Sequence, residues 1–232
     1  MYCTASECLP HTAAAERTDS PQPGSFDYWW SLPGAWVEPP NQRRHGWSGV
    51  VHGHAGGREV YVKRQHNHLH YSLRHPCGQP TAAREYHWLQ RLRGLGIGAP
   101  RALFYGARAR PDGAQAVLVT AALHGYRALA ELDGLPVATA REIAAALGRS
   151  LGRLHRAALQ HGCLYDKHVM IGLQAGQATA IALIDLEKMR RRVLPRQAAA
   201  HDLDQLRRHQ RCFDRHAWAV LIDNHRRAMG AD

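Results

Sequence analysis

The sequence has no apolar run long enough to span a bilayer, which requires about 20 consecutive apolar residues. Its longest uncharged apolar stretches, such as residues 116–123, have the length of a strand. The first residues also lack the basic start and the apolar stretch of a secretory signal. These absences argue against a membrane-embedded or exported protein, and we expect a cytoplasmic one.

Cysteine is scarce, and its distribution argues against two further classes of protein. The five cysteines are odd in number and scattered, and no two form the CxxC pair that is typical of metal sites. A disulfide framework is also disfavoured, because such frameworks occur in small exported domains with paired cysteines. We therefore expect reduced thiols.

Acidic residues are outnumbered in this chain. Its 232 residues include 19 aspartates and glutamates against 30 lysines and arginines, for a formal net charge of +11. The excess favours an anionic partner: a nucleotide, a phosphorylated lipid, nucleic acid or an anionic membrane face. Nucleic acid is not expected, because no recognised binding module is present and the aromatic residues are not interleaved with basic ones. Apolar residues make up 45% of the chain, a globular proportion.

The distribution of residue types divides the chain into three parts. Residues 1–25 lack periodicity and are rich in Ala, Thr, Ser and Pro, so we predict a disordered tail. Residues 26–123 are predicted to form a β-rich lobe and residues 124–232 a mainly helical lobe. Prolines between Trp29 and Trp47 predict an irregular packed arm rather than a helix at the start of the first lobe.

Hydrophobic periodicity predicts the elements of the two lobes and an α+β fold class. Two β-rich runs flank Gly56-Gly57 and indicate a hairpin, and a loop is predicted for residues 65–80. Thr81 is a candidate cap for the helix that follows. The predicted strands are 49–54, 58–64, 102–106, 115–120, 168–173 and 179–184. The predicted helices are 81–94, 137–160, 197–211 and 214–227.

Four features follow one another in a specific order, although each alone is common. Lys63 ends an alternating run, Glu85 lies on the next predicted helix, and residues 161–168 (HGCLYDKH) follow the long helix. Asp185 then follows an apolar strand. This is the layout of the protein-kinase fold, in which a strand lysine contacts nucleotide phosphates and pairs with a helix glutamate. A loop lies at the γ-phosphate and a strand-end aspartate holds Mg²⁺.

The chain also resembles a known family, the InaA members of the lipopolysaccharide kinases, which are related to the WaaP and Kdo kinases. The resembling stretches are residues 36–41, 43–50, 61–65, 67–69, 80–81, 84–85, 161–168, 184–188 and 202–206. The resemblance implies a two-lobed protein-kinase-like fold with an antiparallel β-rich N-lobe and a helical C-lobe. It also implies ATP-dependent phosphorylation of a sugar hydroxyl, heptose or Kdo, in the lipopolysaccharide core.

The resemblance implies roles for matching residues. Lys63 would contact the α- and β-phosphates of ATP, Glu85 would hold that lysine in place, and Asp185 would bind Mg²⁺. A glycine-containing stretch would cover the phosphates, since glycine lets the backbone approach a ligand closely. The candidate residues of that stretch are Gly46, Ser48 and Gly49.

The loop 161–168 departs from the kinase pattern at two positions. Cys163 stands where kinases carry the aspartate that accepts the substrate proton, and a thiol near its ordinary pKa is mostly protonated. His168 stands at the position of a metal-binding asparagine, and imidazole suits softer metals better than Mg²⁺. Asp166 is an alternative base, and Lys167 completes the catalytic candidates. Two functions stay open: an active kinase using Mg²⁺ or Mn²⁺, and a nucleotide-binding pseudokinase with a regulatory or stress-response role.

A basic cluster, Arg190-Arg191-Arg192, follows the predicted metal position. It is either a face for a phosphorylated sugar or anionic lipid, or a solvated surface. The first interpretation predicts a phosphorylated glycolipid as partner. It also adds the alternative of a peripheral position on the cytoplasmic face of the inner membrane.

Overall fold

The computed structural model describes residues 22–43, 46–73, 75–174 and 177–230. Most of the predicted disordered tail, residues 1–21, lies outside the described residues. The strands are β1 Ala35–Trp36, β2 Asn41–Arg43, β3 Gly46–Ala55, β4 Arg58–His66, β5 Leu69–Ser72, β6 His75–Pro80, β7 Ala102–Arg110, β8 Gly113–Ala121, β9 Tyr126–Ala128, β10 Leu159–Gln160, β11 Val169–Gln174, β12 Gln177–Leu183 and β13 Arg190–Arg191. The α-helices are α1 Phe26–Ser31, α2 Thr81–Gly94, α3 Val137–Arg156, α4 Pro195–His209 and α5 Arg215–Met229.

A six-stranded antiparallel sheet forms the first half of the molecule. Its strand order is β1-β3-β4-β8-β7, and β2 also pairs with β3. The β3–β4 hairpin turns at Gly56 and Gly57, both with positive φ, where glycine carries no steric penalty. In this register Lys63 lies in the middle of β4, between Val50 of β3 and Leu118 of β8.

The two faces of the sheet have different partners, because successive side chains of a strand point to opposite faces. Val60 and Val62 of β4 pack with Leu32 and the aromatic residues of α1 on one face. On the other face, Leu118 of β8 packs with Leu92 of α2 in the main core. Lys63 alternates with the two valines and is therefore directed toward the α2 side of the sheet.

The second half of the molecule is built around α3. This helix buries a stripe at helical spacing, and it packs closely along α5 because Gly148 and Gly152 have no side chain at the contact. Beside it lies the three-stranded sheet β12-β11-β9. The fully buried apolar residues of the stripe are Ile143, Leu147, Leu151 and Leu154. Among the described residues, no helix combines the length and apolar content needed to cross a bilayer.

The structure confirms the α+β class and corrects three local predictions. The segment around Trp29 contains a short helix, α1, because Ser25 caps it and the prolines lie beyond its end. Residues 65–80 are not a loop, since they contain the β5–β6 hairpin. Thr81 does not cap α2; the residue at the cap position is Pro80, and the Thr81 hydroxyl is engaged by Gln65.

Candidate active site

Lys63 is held by two carboxylates between the sheet and the helical half. Its Nζ donates to Oε2 of Glu85 on α2 at 2.6 Å and to Oε2 of Glu187 at 3.0 Å. Glu187 belongs to a short 3₁₀ helix, Leu186–Lys188, that follows Asp185. The three side chains are 15%, 14% and 23% exposed, so the ion pairs are largely shielded from water. One lysine thus joins β4, α2 and the segment after β12.

The charges of this cluster stabilise one another. Burial disfavours the ammonium form of Lys63, but Glu85 and Glu187 outweigh burial and raise the pKa of Lys63. Burial likewise opposes ionisation of Glu187, and the nearby Lys63 outweighs it, so the pKa of Glu187 is lowered. At neutral pH the cluster therefore contains a fixed cation suited to a polyphosphate, together with a carboxylate that a phosphate would have to displace.

A buried glutamine positions α2 so that Glu85 reaches the lysine. Gln65, two residues after Lys63 on the same face of β4, donates from Nε2 to the hydroxyl oxygens of Thr81 (2.7 Å) and Ser48 (3.1 Å). Its Oε1 accepts from the backbone N–H of Ala82 at 2.8 Å. The side-chain amide thus binds the first turn of α2 directly to β4. Because Glu85 lies one turn further along α2, its distance from Lys63 follows from this contact.

The candidate phosphate-covering residues all have structural contacts within the first half. The hydroxyl of Ser48 accepts from Gln65, as described above. A Cβ on Gly49 would come within 2.5 Å of the Trp36 ring, and one on Gly46 would collide with the backbone of Asn67. Close packing alone therefore accounts for glycine at both positions. Residues 44 and 45, which precede Gly46, lie outside the described residues.

The loop 161–168 is held in place by the buried carboxylate of Asp202 on α4. Its Oδ2 accepts from the backbone N–H of His161 at 2.6 Å, and its Oδ1 accepts from that of Gly162 at 3.0 Å. Leu164 N–H donates to Oε1 of Gln205, one turn further along α4, at 2.7 Å. Two side chains of α4 thus hold the backbone of the first half of the loop.

Asp202 is supported in turn by a buried histidine pair. His155 Nε2 lies 3.2 Å from Oδ2 of Asp202, and His155 Nδ1 lies 2.8 Å from Nε2 of His225. Burial, and after it the charges of His155 and Arg226, lower the pKa of His225 to about 4, so His225 is neutral at neutral pH. For Asp202, burial is outweighed by the hydrogen bond from His155, and its pKa is lowered. The result is a hydrogen-bonded chain of side chains from His225 of α5 through His155 of α3 to the ionised Asp202 of α4.

Cys163, His168 and Asp185 converge at the inner end of this loop. One ligand atom from each lies within 4.8 Å of the others. His168 Nδ1 lies 2.7 Å from the carbonyl oxygen of Cys163, and His168 Nε2 lies 3.5 Å from Oδ2 of Asp185. Asp185 has φ 58° and ψ 60°, a left-handed conformation that is costly for a non-glycine residue and tends to occur at functional sites.

These three side chains fit the two Mg²⁺ ions of a protein kinase poorly. Mg²⁺ prefers six oxygen ligands, and only Asp185 among the three offers oxygen. Burial, and then the charge of Asp185, raise the pKa of the Cys163 thiol, so it is protonated when nothing is bound. A protonated, buried thiol neither binds Mg²⁺ nor accepts a proton from a sugar hydroxyl.

Asp166 and Lys167 lie on the outer side of the loop. The Asp166 carboxylate accepts from the backbone N–H of Lys167 at 2.9 Å. Burial, and after it the charges of Asp133 and Asp166, raise the pKa of Cys212, which precedes α5. Lys167 is exposed, and its charge acts on Cys163. The structure therefore brings together Lys63 with Glu85, and Cys163 with His168 and Asp185.

Sequence reasoning missed three residues as members of the site: Gln65, Glu187 and Asp202. For Glu187 the available signal was its position, two residues after Asp185. A 3₁₀ turn that follows the aspartate brings this position back toward β4. Gln65 carried a weaker signal, its position on the Lys63 face of the strand. Asp202 carried no signal of its role, since its partners lie about 40 residues earlier in the chain.

Comparisons with known proteins agree with this arrangement. The chain is similar in structure to WaaP in complex with acyl carrier protein, with a TM-score of 0.65 and 21% identity over 87% of this chain and 82% of that one. The sheet, helices and this likeness define a protein-kinase-like fold, which confirms the predicted architecture.

The family is defined by two further similarities. Residues 27–224 match the family model described as lipopolysaccharide kinase (Kdo/WaaP) family. The chain is also 33% identical over 200 residues to Protein InaA of Escherichia coli (strain K12), which covers 83% of this chain and 91% of that protein. The chain belongs to the lipopolysaccharide kinase (Kdo/WaaP) family, as the resemblance in its sequence predicts.

Proposed function

We propose that this protein binds ATP between its sheet and its helical half, and that it phosphorylates a sugar hydroxyl of a lipopolysaccharide-type glycolipid. The ion pair between Lys63 and Glu85 carries the proposal. It presents a buried, permanently charged ammonium group close to Asp185, whose charge acts on that lysine. We expect this ammonium group to bind the charged oxygens of a triphosphate strongly, because Glu85 holds Lys63 in position before the ligand arrives.

Each residue has a defined part in this proposal. Lys63 binds the phosphate charge, and Glu85 keeps the lysine pointed into the cleft. The Glu187 carboxylate accepts a hydrogen bond from the same ammonium group, and a phosphate oxygen replaces it when the nucleotide binds. Asp202 positions the loop 161–168 at the end of the cleft. The Mg²⁺ that the family implies is assigned no step, because two of the three converging side chains do not suit it.

A second candidate function, a nucleotide-binding pseudokinase, is favoured by the position of Cys163. The residue is buried, 6% exposed, and burial raises the pKa of its thiol. A proton acceptor is therefore missing from the place where kinases carry one. Phosphoryl transfer depends mainly on positioning and charge stabilisation, so a slow kinase remains compatible with this site.

A basic and apolar surface supports a membrane-bound acceptor. Arg190 and Arg191 are exposed on β13, and Val193 (89% exposed) and Leu194 (38% exposed) follow directly. Arginine binds phosphate groups with two hydrogen bonds, and exposed apolar side chains next to arginines suit the boundary of a lipid layer. We therefore place the phosphorylated glycolipid, and peripheral contact with the cytoplasmic face of the inner membrane, at this surface.

The proposal is tested by nucleotide binding to the full chain. A fluorescent ATP analogue should bind the natural protein, bind at least about tenfold more weakly to Lys63→Met, and bind unchanged to Arg58→Met. Arg58 is an exposed cation on the same strand and serves as the matched control. If the natural protein binds no nucleotide, both candidate functions are wrong.

Transfer separates the two candidates. Radiolabel from the γ-phosphate should appear on isolated lipopolysaccharide core if the protein is a kinase. Binding without transfer supports the pseudokinase. In that case Cys163→Asp, which returns a carboxylate to the position, should produce transfer, and a variant that binds ATP without transferring it would show that Cys163 is not the cause.

A further inference from the structure

The side chains of Cys163, His168 and Asp185 present one sulfur, one nitrogen and one oxygen to a common point. Their ligand atoms lie within 4.8 Å of one another. Such a mixed set is unsuited to Mg²⁺, whereas thiolate and imidazole are preferred ligands of Zn²⁺ and related transition metals. The Cys163 thiol would release its proton to water as the metal binds. Catalytic zinc sites commonly have three protein ligands and one open position, which is the number found here.

The orientation of His168 shows which of its nitrogens is available. Its Nδ1 lies 2.7 Å from the carbonyl oxygen of Cys163, which can only accept, so Nδ1 carries a hydrogen. The other ring nitrogen, Nε2, faces the carboxylate of Asp185, with 3.5 Å between Nε2 and Oδ2. An imidazole nitrogen and a carboxylate oxygen that face each other at this separation can both ligate one metal ion.

The three ligands are also positioned before any ion arrives. The carbonyl contact fixes the His168 ring, which is the usual way in which a metal-binding histidine is oriented. Asp202 holds the backbone of the loop that carries Cys163. Cys163 and His168 are buried, whereas the Asp185 side chain is 39% exposed, so the open position lies on the solvent side.

We propose that Cys163, His168 and Asp185 form a binding site for one thiophilic divalent transition metal of the Zn²⁺ class, with a fourth position open to water or a phosphate oxygen. Metal binding at this site depends only on the three donor atoms. Only its use as a nucleotide-phosphate ligand rests on the proposed function. In this family member a soft ion would then stand where kinases bind a hard one.

Cobalt titration of the full-length, metal-depleted protein tests the proposal. Co²⁺ should bind with one equivalent and produce the near-ultraviolet absorption of a thiolate–cobalt bond, and Zn²⁺ should displace it. Cys163→Ser should lose this absorption, because the sulfur ligand is gone. Cys77→Ser, which removes an exposed cysteine on β6, should retain it.

A second variant keeps the test decisive if Cys163→Ser folds poorly. His168→Asn retains a polar side chain of similar size and should weaken Co²⁺ binding at least about tenfold. The absence of Co²⁺ binding in the natural protein would overturn the proposal. So would an absorption that survives both Cys163→Ser and His168→Asn.

The outcome can be separated from that of the proposed function. Lys63→Met should lose nucleotide binding and keep the cobalt absorption, because Lys63 contributes no ligand. If the metal-depleted natural protein binds a nucleotide but no Co²⁺, the metal proposal alone is wrong. If it binds Co²⁺ but no nucleotide with or without the metal, only the proposed function is wrong.

Discussion

The buried contact between His225 and His155 makes the free energy of unfolding depend on pH, and His225→Gln tests this dependence. In the folded protein the pKa of His225 is about 4, mainly because of burial, against an ordinary value of 6.5. In the unfolded chain the residue returns to its ordinary value. Between these two values the unfolded state therefore binds more protons, so stability is complete above about pH 6.5 and falls as the pH is lowered toward 4.

The magnitude follows from the difference between the two pKa values. At about 1.4 kcal/mol for each unit of pKa difference, protonation of His225 lowers the free energy of unfolding by about 3 kcal/mol in total. Between pH 7 and pH 5 the loss is about 2 kcal/mol, because the folded form is still almost unprotonated at pH 5. Burial also lowers the pKa of His161, so this residue adds to the loss of stability as the pH falls.

Urea unfolding at pH 7 and pH 5 measures the effect. The His225→Gln variant retains an amide that can donate to His155 but cannot titrate. It should lose about 2 kcal/mol less than the natural protein over this pH range. His87→Gln, an exposed position on α2, should behave like the natural protein. Equal losses in the His225→Gln variant and the natural protein would refute the reasoning.

Three further predictions concern packing, the anchored loop and thiol access. Gly152→Ala should lower the free energy of unfolding by about 1–3 kcal/mol, because the new Cβ would come within 2.6 Å of a carbonyl oxygen of α5. Gly94→Ala, which enters open space, should change it by less than about 1 kcal/mol in the same urea titration, and equal losses would contradict the packing argument. Asp202→Asn should speed hydrogen exchange of the loop 161–168, because the NH₂ group that replaces one carboxylate oxygen cannot accept from the backbone N–H that it faces. Unchanged exchange would contradict the anchoring role of Asp202. In the metal-depleted protein, Cys77 should react with a thiol reagent while Cys163 stays protected by burial, as peptide mapping would show; equal labelling would contradict the buried position.

Much of the fold was accessible from local patterns. The β3–β4 hairpin, α2 and α3 each combine a clear period with a turn or an end signal, and both properties involve neighbours in sequence. The short helix α1 was missed because nearby prolines dominate its segment. The β5–β6 hairpin was missed because its sequence lacks alternation of apolar and polar residues.

The sequence by itself determined the order of the chemistry-bearing residues, from Lys63 through Glu85 to Asp185, and with it the family. It also determined that the loop 161–168 carries Cys163 and His168 in place of the usual kinase residues. Only the tertiary structure decided that Glu187 shares Lys63 and that Asp202 holds the loop. It also brought the sulfur, nitrogen and oxygen ligands to one point. These contacts join residues far apart in the chain, and no local period or propensity encodes which distant partners will meet.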